Sequence, residues 1–349
     1  MTVVLDPAPQ PEPPSDHLSA EVRAARHGAA AAPPPVAPVA EPRAPKGSSA
    51  TRLRFLLLGW LVSIIVGMAL VLYGFGPFFQ QRNQRALLSQ YRSEISRAAN
   101  EASGLPGVTV RTTAPDPGSP VAILEIGSIR LQQVVVEGVG AEQTRSGPGH
   151  VPGTAAPGQP GNAVVVGRYK SYGGPFGKLH SVHAGDQILV TTTQGASIYS
   201  IEEVKKVTLS TAAPSESSDT TDAASSSAVR VDDLYGPSED DRLTLVTSAS
   251  ANPLNGSSAT VVTAKLKGEP FEPTPQGGRL SGQTGLAGDD GALAAVVLAL
   301  MAYGIVMGAS VLLYRRLQPR TAYMLTIAPM VALTIIAGET LSRIFPAWM

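Results

Sequence analysis

No cysteine occurs in the 349 residues of this chain. That removes thiolate nucleophiles, thiolate metal sites and disulfides together. Hydroxyls remain, and one of them, Ser248, ends the apolar run 243–248 (Leu-Thr-Leu-Val-Thr-Ser). A hydroxyl is a weak nucleophile unless a base adjoins it. The nearby candidates are His150, His180, His183, Lys170 and Lys178. His150 lies in a glycine-rich loop, and His180 and His183 flank a turn at Ser181 and Val182, so all three read as surface or turn histidines rather than bases. Either lysine could form a Ser–Lys dyad with Ser248, but no spacing specifies it and a solvated lysine is the default. Asp232, Asp233, Glu239, Asp240 and Asp241 crowd one stretch without the ordered ligand loop of a calcium site, so they read as a solvated loop. Neither a metal nor a cofactor is expected.

Strands must position these residues. The runs 121–126, 131–136, 162–166, 187–192, 197–207, 243–247 and 260–266 are rich in Val, Ile, Leu and Thr and are punctuated by Gly, Pro, Asn or Asp. Short strands at this spacing predict an all-β barrel or sandwich over 121–268. The segment 208–228 is a Ser/Thr/Ala-rich insert, expected to be a loop without core contribution. Residues 80–102 predict a helix with Leu87, Leu88, Tyr91, Ile95 and Ala98 near one face. Residues 269–290 read as a Gly/Pro linker.

Three apolar runs flank this domain, at 55–75, 292–314 and 322–341. A run of about 20 apolar residues suffices to cross a hydrocarbon core of roughly 30 Å. Arg43, Lys46, Arg52 and Arg54 precede the first run, and Arg315, Arg316 and Arg320 separate the other two. The positive-inside rule places both clusters in the cytoplasm, which leaves the β-domain and the end of the chain outside the cell. Glu339 near the outer end of the third run has Arg343 one turn on, an i,i+4 pair. Residues 1–54 hold 11 of the 30 prolines with little aliphatic pattern and read as a disordered cytoplasmic tail. With 27 basic and 27 acidic residues, nothing suggests a nucleic-acid partner. The Ala, Gly and Pro content suggests an actinobacterial source.

The ordered set of motifs resembles a known family. Residues 123–138 (Ile-Leu-Glu-Ile-Gly-Ser-Ile-Arg-Leu-Gln-Gln-Val-Val-Val-Glu-Gly) are similar to the first strands of sortases. So are 147–154 (Gly-Pro-Gly-His-Val-Pro-Gly-Thr), 157–162, 164–168 (Val-Val-Val-Gly-Arg), 175–179 and the run ending at Ser248. Actinobacterial housekeeping-like, class E-like sortases are the most similar. The resemblance implies an eight-stranded β-barrel that joins surface proteins to cell-wall peptides through a cysteine, a histidine and an arginine. Those positions here are Ser248, Arg168 and Ala259. A guanidinium stays charged and cannot act as a base, and alanine cannot stabilise an oxyanion. The expectation is a pseudoenzyme of the cell envelope: a scaffold or accessory subunit for another integral membrane protein, or for a larger complex. A peptide in the vestigial groove is a version of the same reading. Arg168 and Ser248 would face each other at the groove floor, with Arg168 as a plug bonded to Ser248 or an acid. The alternative is an active transpeptidase, acyltransferase or hydrolase that uses Ser248 on cell-wall sorting signals.

Overall fold

β-branched residues pack well on a pleated surface, and the Val-, Ile- and Thr-rich runs become strands. The structure, a computed structural model, describes residues 58, 61–62, 65–67, 69–104, 113–210, 228–250, 257–278, 285, 288, 291–344 and 346–348. The expected tail, 1–54, lies outside them. The strands are β1 (Pro120–Ile126), β2 (Leu131–Glu137), β3 (Gly149–His150), β4 (Asn162–Val166), β5 (Gln187–Thr191), β6 (Ala196–Ser210), β7 (Ala228–Arg230), β8 (Arg242–Ser248) and β9 (Ser258–Lys267). Their order is β5-β1-β2-β3-β4-β8-β9-β6-β7, and β6 pairs back onto β5. Eight strands therefore close a barrel, with the short β7 added outside β6.

Side-chain alternation divides the apolar residues between two faces. Ala163 and Val165 of β4, Leu243 and Leu245 of β8, and Val262 and Ala264 of β9 fill the interior. Their neighbours Val164, Val166, Val246, Ala259 and Val261 form a second cluster on the outer face. A period of two makes this separation unavoidable.

The helices are α1 (Gly76–Gly104), α2 (Ala141–Ser146), α3 (Val231–Tyr235), α4 (Ala292–Arg316) and α5 (Pro319–Ser342). Tyr91 of α1 is buried against Ile123 and Val134, with Leu87, Leu88 and Ile95 around it. Gln84 fastens the same helix: its amide donates to the Val134 carbonyl at 3.1 Å and accepts from the Val134 N–H at 2.7 Å.

Among the described residues, two helices rather than the expected three are long and apolar enough to cross a membrane. They are Ala292–Leu313, with mean hydropathy 2.4, and Arg320–Ser342, with mean hydropathy 1.7. The expected first span, 55–75, lies partly outside the described residues. Its described part is helical and runs through a π-helical turn, Leu70–Phe75, into α1.

The insert also differs from expectation at its ends. Thr208 and Leu209 pair in parallel with Ala228 and Val229. Leu209 is buried in the outer cluster, so this end contributes to a core. Residues 211–227 lie outside the described residues. The stretch after β9 is tied to the barrel: Phe271 N–H donates to the Gly158 carbonyl at 2.8 Å, and Gln159 Nε2 donates to Thr274 Oγ1 at 2.8 Å.

Candidate functional site

β4 and β8 run parallel with Val166 opposite Val246, and Gly167 N–H donates to the Val246 carbonyl at 3.0 Å. Arg168 and Ser248 therefore leave neighbouring strands at the same end. Ala259 stands directly opposite Ser248 across the β8–β9 ladder. By alternation from Val166 and Val246, Arg168 and Ser248 belong to the outer face that also holds Ala259. The three positions the resemblance singles out share one end of one face.

Gly167 sets the exit of β4. A Cβ at this position would lie 2.4 Å from Cδ2 of the buried Phe176 ring. Gly167→Ala is expected to cost about 1–3 kcal/mol through overpacking, read as a lower melting temperature of the full chain in detergent micelles.

Arg168 is 2 % exposed and does not bond Ser248. Its guanidinium instead donates from Nη1 to Ser171 Oγ at 2.9 Å and from Nη2 to the Ala141 carbonyl at 2.8 Å. It also lies over the Tyr172 ring, 4.9 Å from the centroid. Among the described residues Nε has no partner and no carboxylate pairs with the group. The expected bond to Ser248 or an acid is thus corrected. The side chain is drawn aside by two neutral acceptors, the Ser171 hydroxyl and the Ala141 carbonyl. Burial lowers its pKa to about 10, opposed by Tyr172 and assisted by Arg145. It remains a cation at neutral pH and offers no lone pair to a proton.

Ser248 is fully buried, and its hydroxyl is engaged within its own turn. Oγ donates to the Ser250 carbonyl at 2.8 Å and accepts from the Ser250 N–H at 3.2 Å. Ala259 brings no functional group. Lys170, Lys178, His180 and His183 are exposed, and among the described residues none of them bonds Ser248. Asp241 accepts from Gly161 N–H at 2.8 Å and Asp240 pairs with Lys265 at 3.1 Å. Among the described residues no group of three or more His, Asp or Glu could hold a metal ion.

His150 is corrected from a surface residue to a buried one, on β3 and 1 % exposed. Its Nδ1 meets Glu137 Oε2 at 2.8 Å, and its Nε2 meets the Ala155 carbonyl at 2.8 Å. A carbonyl only accepts, so Nε2 carries hydrogen. The pair then shares one proton, as imidazolium with carboxylate or as imidazole with carboxylic acid, and is neutral overall in both forms. The glycine-rich context concealed this, because the partner Glu137 comes from β2 through a parallel pairing.

Sequence reasoning missed the groups that hold Arg168. Tyr172 sits in the left-handed region, with φ 49 and ψ 48. That conformation is costly for a bulky residue and concentrates at functional sites. Its hydroxyl meets Ser342 Oγ of α5 at 3.1 Å. Arg145 of α2 ion-pairs with Glu339, which also has Arg343 at 3.6 Å. The expected i,i+4 pair is therefore present, but Glu339 reaches across to the barrel as well. Only the Tyr-Gly-Gly run at 172–174 hinted at the unusual backbone.

Residues 124–267 match the family model of the Sortase domain. Among solved structures, the chain is similar to sortase E from Streptomyces avermitilis, at 28% identity over 44% of this chain and 93% of that one, with a TM-score of 0.33. It is also similar to a Clostridium perfringens sortase D5 transpeptidase, at 21% identity over 54% and 99%, with a TM-score of 0.40. A third is sortase A from Listeria monocytogenes, at 18% identity over 44% and 91%, with a TM-score of 0.33. No curated protein matches the chain.

Proposed function

We propose that this chain is a membrane-anchored, non-catalytic sortase-like protein of the bacterial cell envelope, of actinobacterial type, that works by binding. It serves as a scaffold or accessory subunit for another integral membrane protein. One observation carries the reading. Where acyl transfer needs a base beside the nucleophile, Arg168 is turned away onto Ser171 and the Ala141 carbonyl, and among the described residues the Ser248 hydroxyl bonds only Ser250. Without a base in reach among the described residues, the hydroxyl has no described group to take its proton.

The helices support an anchored scaffold. α5 meets the barrel through Glu339 and Ser342 at one end, while Arg315, Arg316 and Arg320 lie at the opposite end. In a bilayer this arrangement keeps the basic cluster cytoplasmic and the barrel outside. α4, α5 and the helical run before α1 offer lateral surface to partner helices.

The full chain in detergent micelles, incubated with sorting-signal peptides and an amine acceptor, is expected to give no product above the peptide-only control. Ser248→Ala is expected to change nothing. Ser248→Cys is expected to stay inactive too, because a thiol there still lacks a base. Turnover by the native chain that Ser248→Ala abolishes overturns this reading. Purification from native membranes in mild detergent is expected to bring down another membrane protein, and recovery as a solitary monomer counts against the scaffold role.

A further inference from the structure

The outer face formed by Val164, Val166, Val246, Ala259 and Val261 is covered. Trp348, on the segment that follows α5, is 0 % exposed within that cluster. Its carbonyl accepts from Tyr169 N–H at 2.9 Å, one residue beyond Arg168. Among the described residues its indole N–H has no acceptor, and the ring is held by apolar packing.

The approach of this segment is fixed by several contacts upstream. Glu339 is paired with Arg145, and Ser342 Oγ stands 3.1 Å from the Tyr172 hydroxyl. The Ile344 carbonyl runs so close to Gly288 that a Cβ there would meet it at 1.9 Å. Pro346 stiffens the chain two residues before the ring, which lowers the entropy lost on docking. Ser248 and Ala259 stand opposite each other on the neighbouring strands β8 and β9, and the Trp348 ring belongs to the same outer apolar cluster as Ala259.

We propose that this face is a binding site for a tryptophan-bearing peptide segment, and that Trp348, with Ile344, Pro346 and Ala347 leading to it, is its resident occupant, closing it to other peptides. The inference does not depend on whether Ser248 reacts. Peptide turnover tests the functional reading, and occupancy of the face tests this one.

The experiment uses the full chain in detergent micelles and a fluorophore-labelled synthetic peptide with the sequence of residues 343–349 (Arg-Ile-Phe-Pro-Ala-Trp-Met). Anisotropy is expected to show binding to Trp348→Ala at least about tenfold tighter than to the native chain. The same peptide with alanine for tryptophan is expected not to bind. Gly288→Ala, which pushes the Ile344 carbonyl away while keeping the ring, is expected to open the site to the peptide as well, and it decides the matter if Trp348→Ala fails to fold. Equal binding to native and variant chains overturns the proposal, as does no binding to a folded variant. Trp60 is the other of the chain's two tryptophans. In a Trp60→Phe chain, blue-shifted emission with weak acrylamide quenching is the expected signal of an occupied site. Solvent-like emission overturns the proposal.

Discussion

His150→Ala is expected to destabilise the barrel by about 3–5 kcal/mol, because it leaves Glu137 as a buried carboxylate with no counterpart. Glu137 is 3 % exposed and its carboxylate oxygen lies 2.8 Å from the imidazole it would lose. For a domain of this size, each kcal/mol moves the melting temperature by about 2–4 °C, so a drop of roughly 10 °C is expected. Circular dichroism of the full chain in detergent micelles reads it. Glu137→Gln separates charge from shape. Its amide can donate to Nδ1 while Nε2–H keeps the Ala155 carbonyl, so the loss is expected to be only about 1–2 kcal/mol. Equal losses in the two variants would mean that packing, and not the shared proton, accounts for the pair.

Arg168→Ala is expected to cost about 2–4 kcal/mol, since it empties the space over Tyr172 and orphans the Ala141 carbonyl. Arg168→Met is expected to cost less than about 1 kcal/mol. The reason lies in the sign of the arginine's own contribution. Its pKa falls to about 10 on burial, so the unfolded chain holds the proton more tightly than the folded one. The charge therefore weakens the fold at every pH below about 10, and the penalty lifts only as pH rises above that value. Methionine removes the charge and the hydrogen bonds together while keeping an apolar stem against the ring, and these changes nearly offset. Thermal unfolding of both variants checks the ordering. If Arg168→Met is as damaging as Arg168→Ala, the guanidinium stabilises the site and this account of its charge fails. Arg168→Ala should also loosen the contact of Tyr172 with Ser342, seen as increased quenching of Trp348 in the Trp60→Phe chain.

The strands were legible because a period of two and β-branched composition are local signals. Ala163, Val164, Val165 and Val166 show it: one run supplies two faces, and the alternation alone sorts them. The two-residue β3 and three-residue β7 were not legible, because strands so short have no periodicity of their own. They exist only where a neighbour offers a ladder edge. The site was legible in part. Ser248, Arg168 and Ala259 could be singled out from ordered motifs, but their bonding partners could not. Ser171 and Ala141 meet Arg168 from different segments, and no pattern within either segment encodes the meeting.

Taken alone, the amino-acid sequence determined that no thiol is present, and the ordered motifs raised the expectation that Arg168, Ser248 and Ala259 occupy the positions of interest. Side-chain identity is a property of the chain and does not wait for folding. It also determined the apolar runs after the barrel, through length and composition. Only the tertiary structure decided that His150 is buried against Glu137, that Arg168 turns from Ser248 to the Ala141 carbonyl, and that Trp348 lies on the face the three positions share. Each of these depends on groups far apart in the chain that become neighbours when the barrel closes and α5 docks, and such contacts leave no local trace in the sequence.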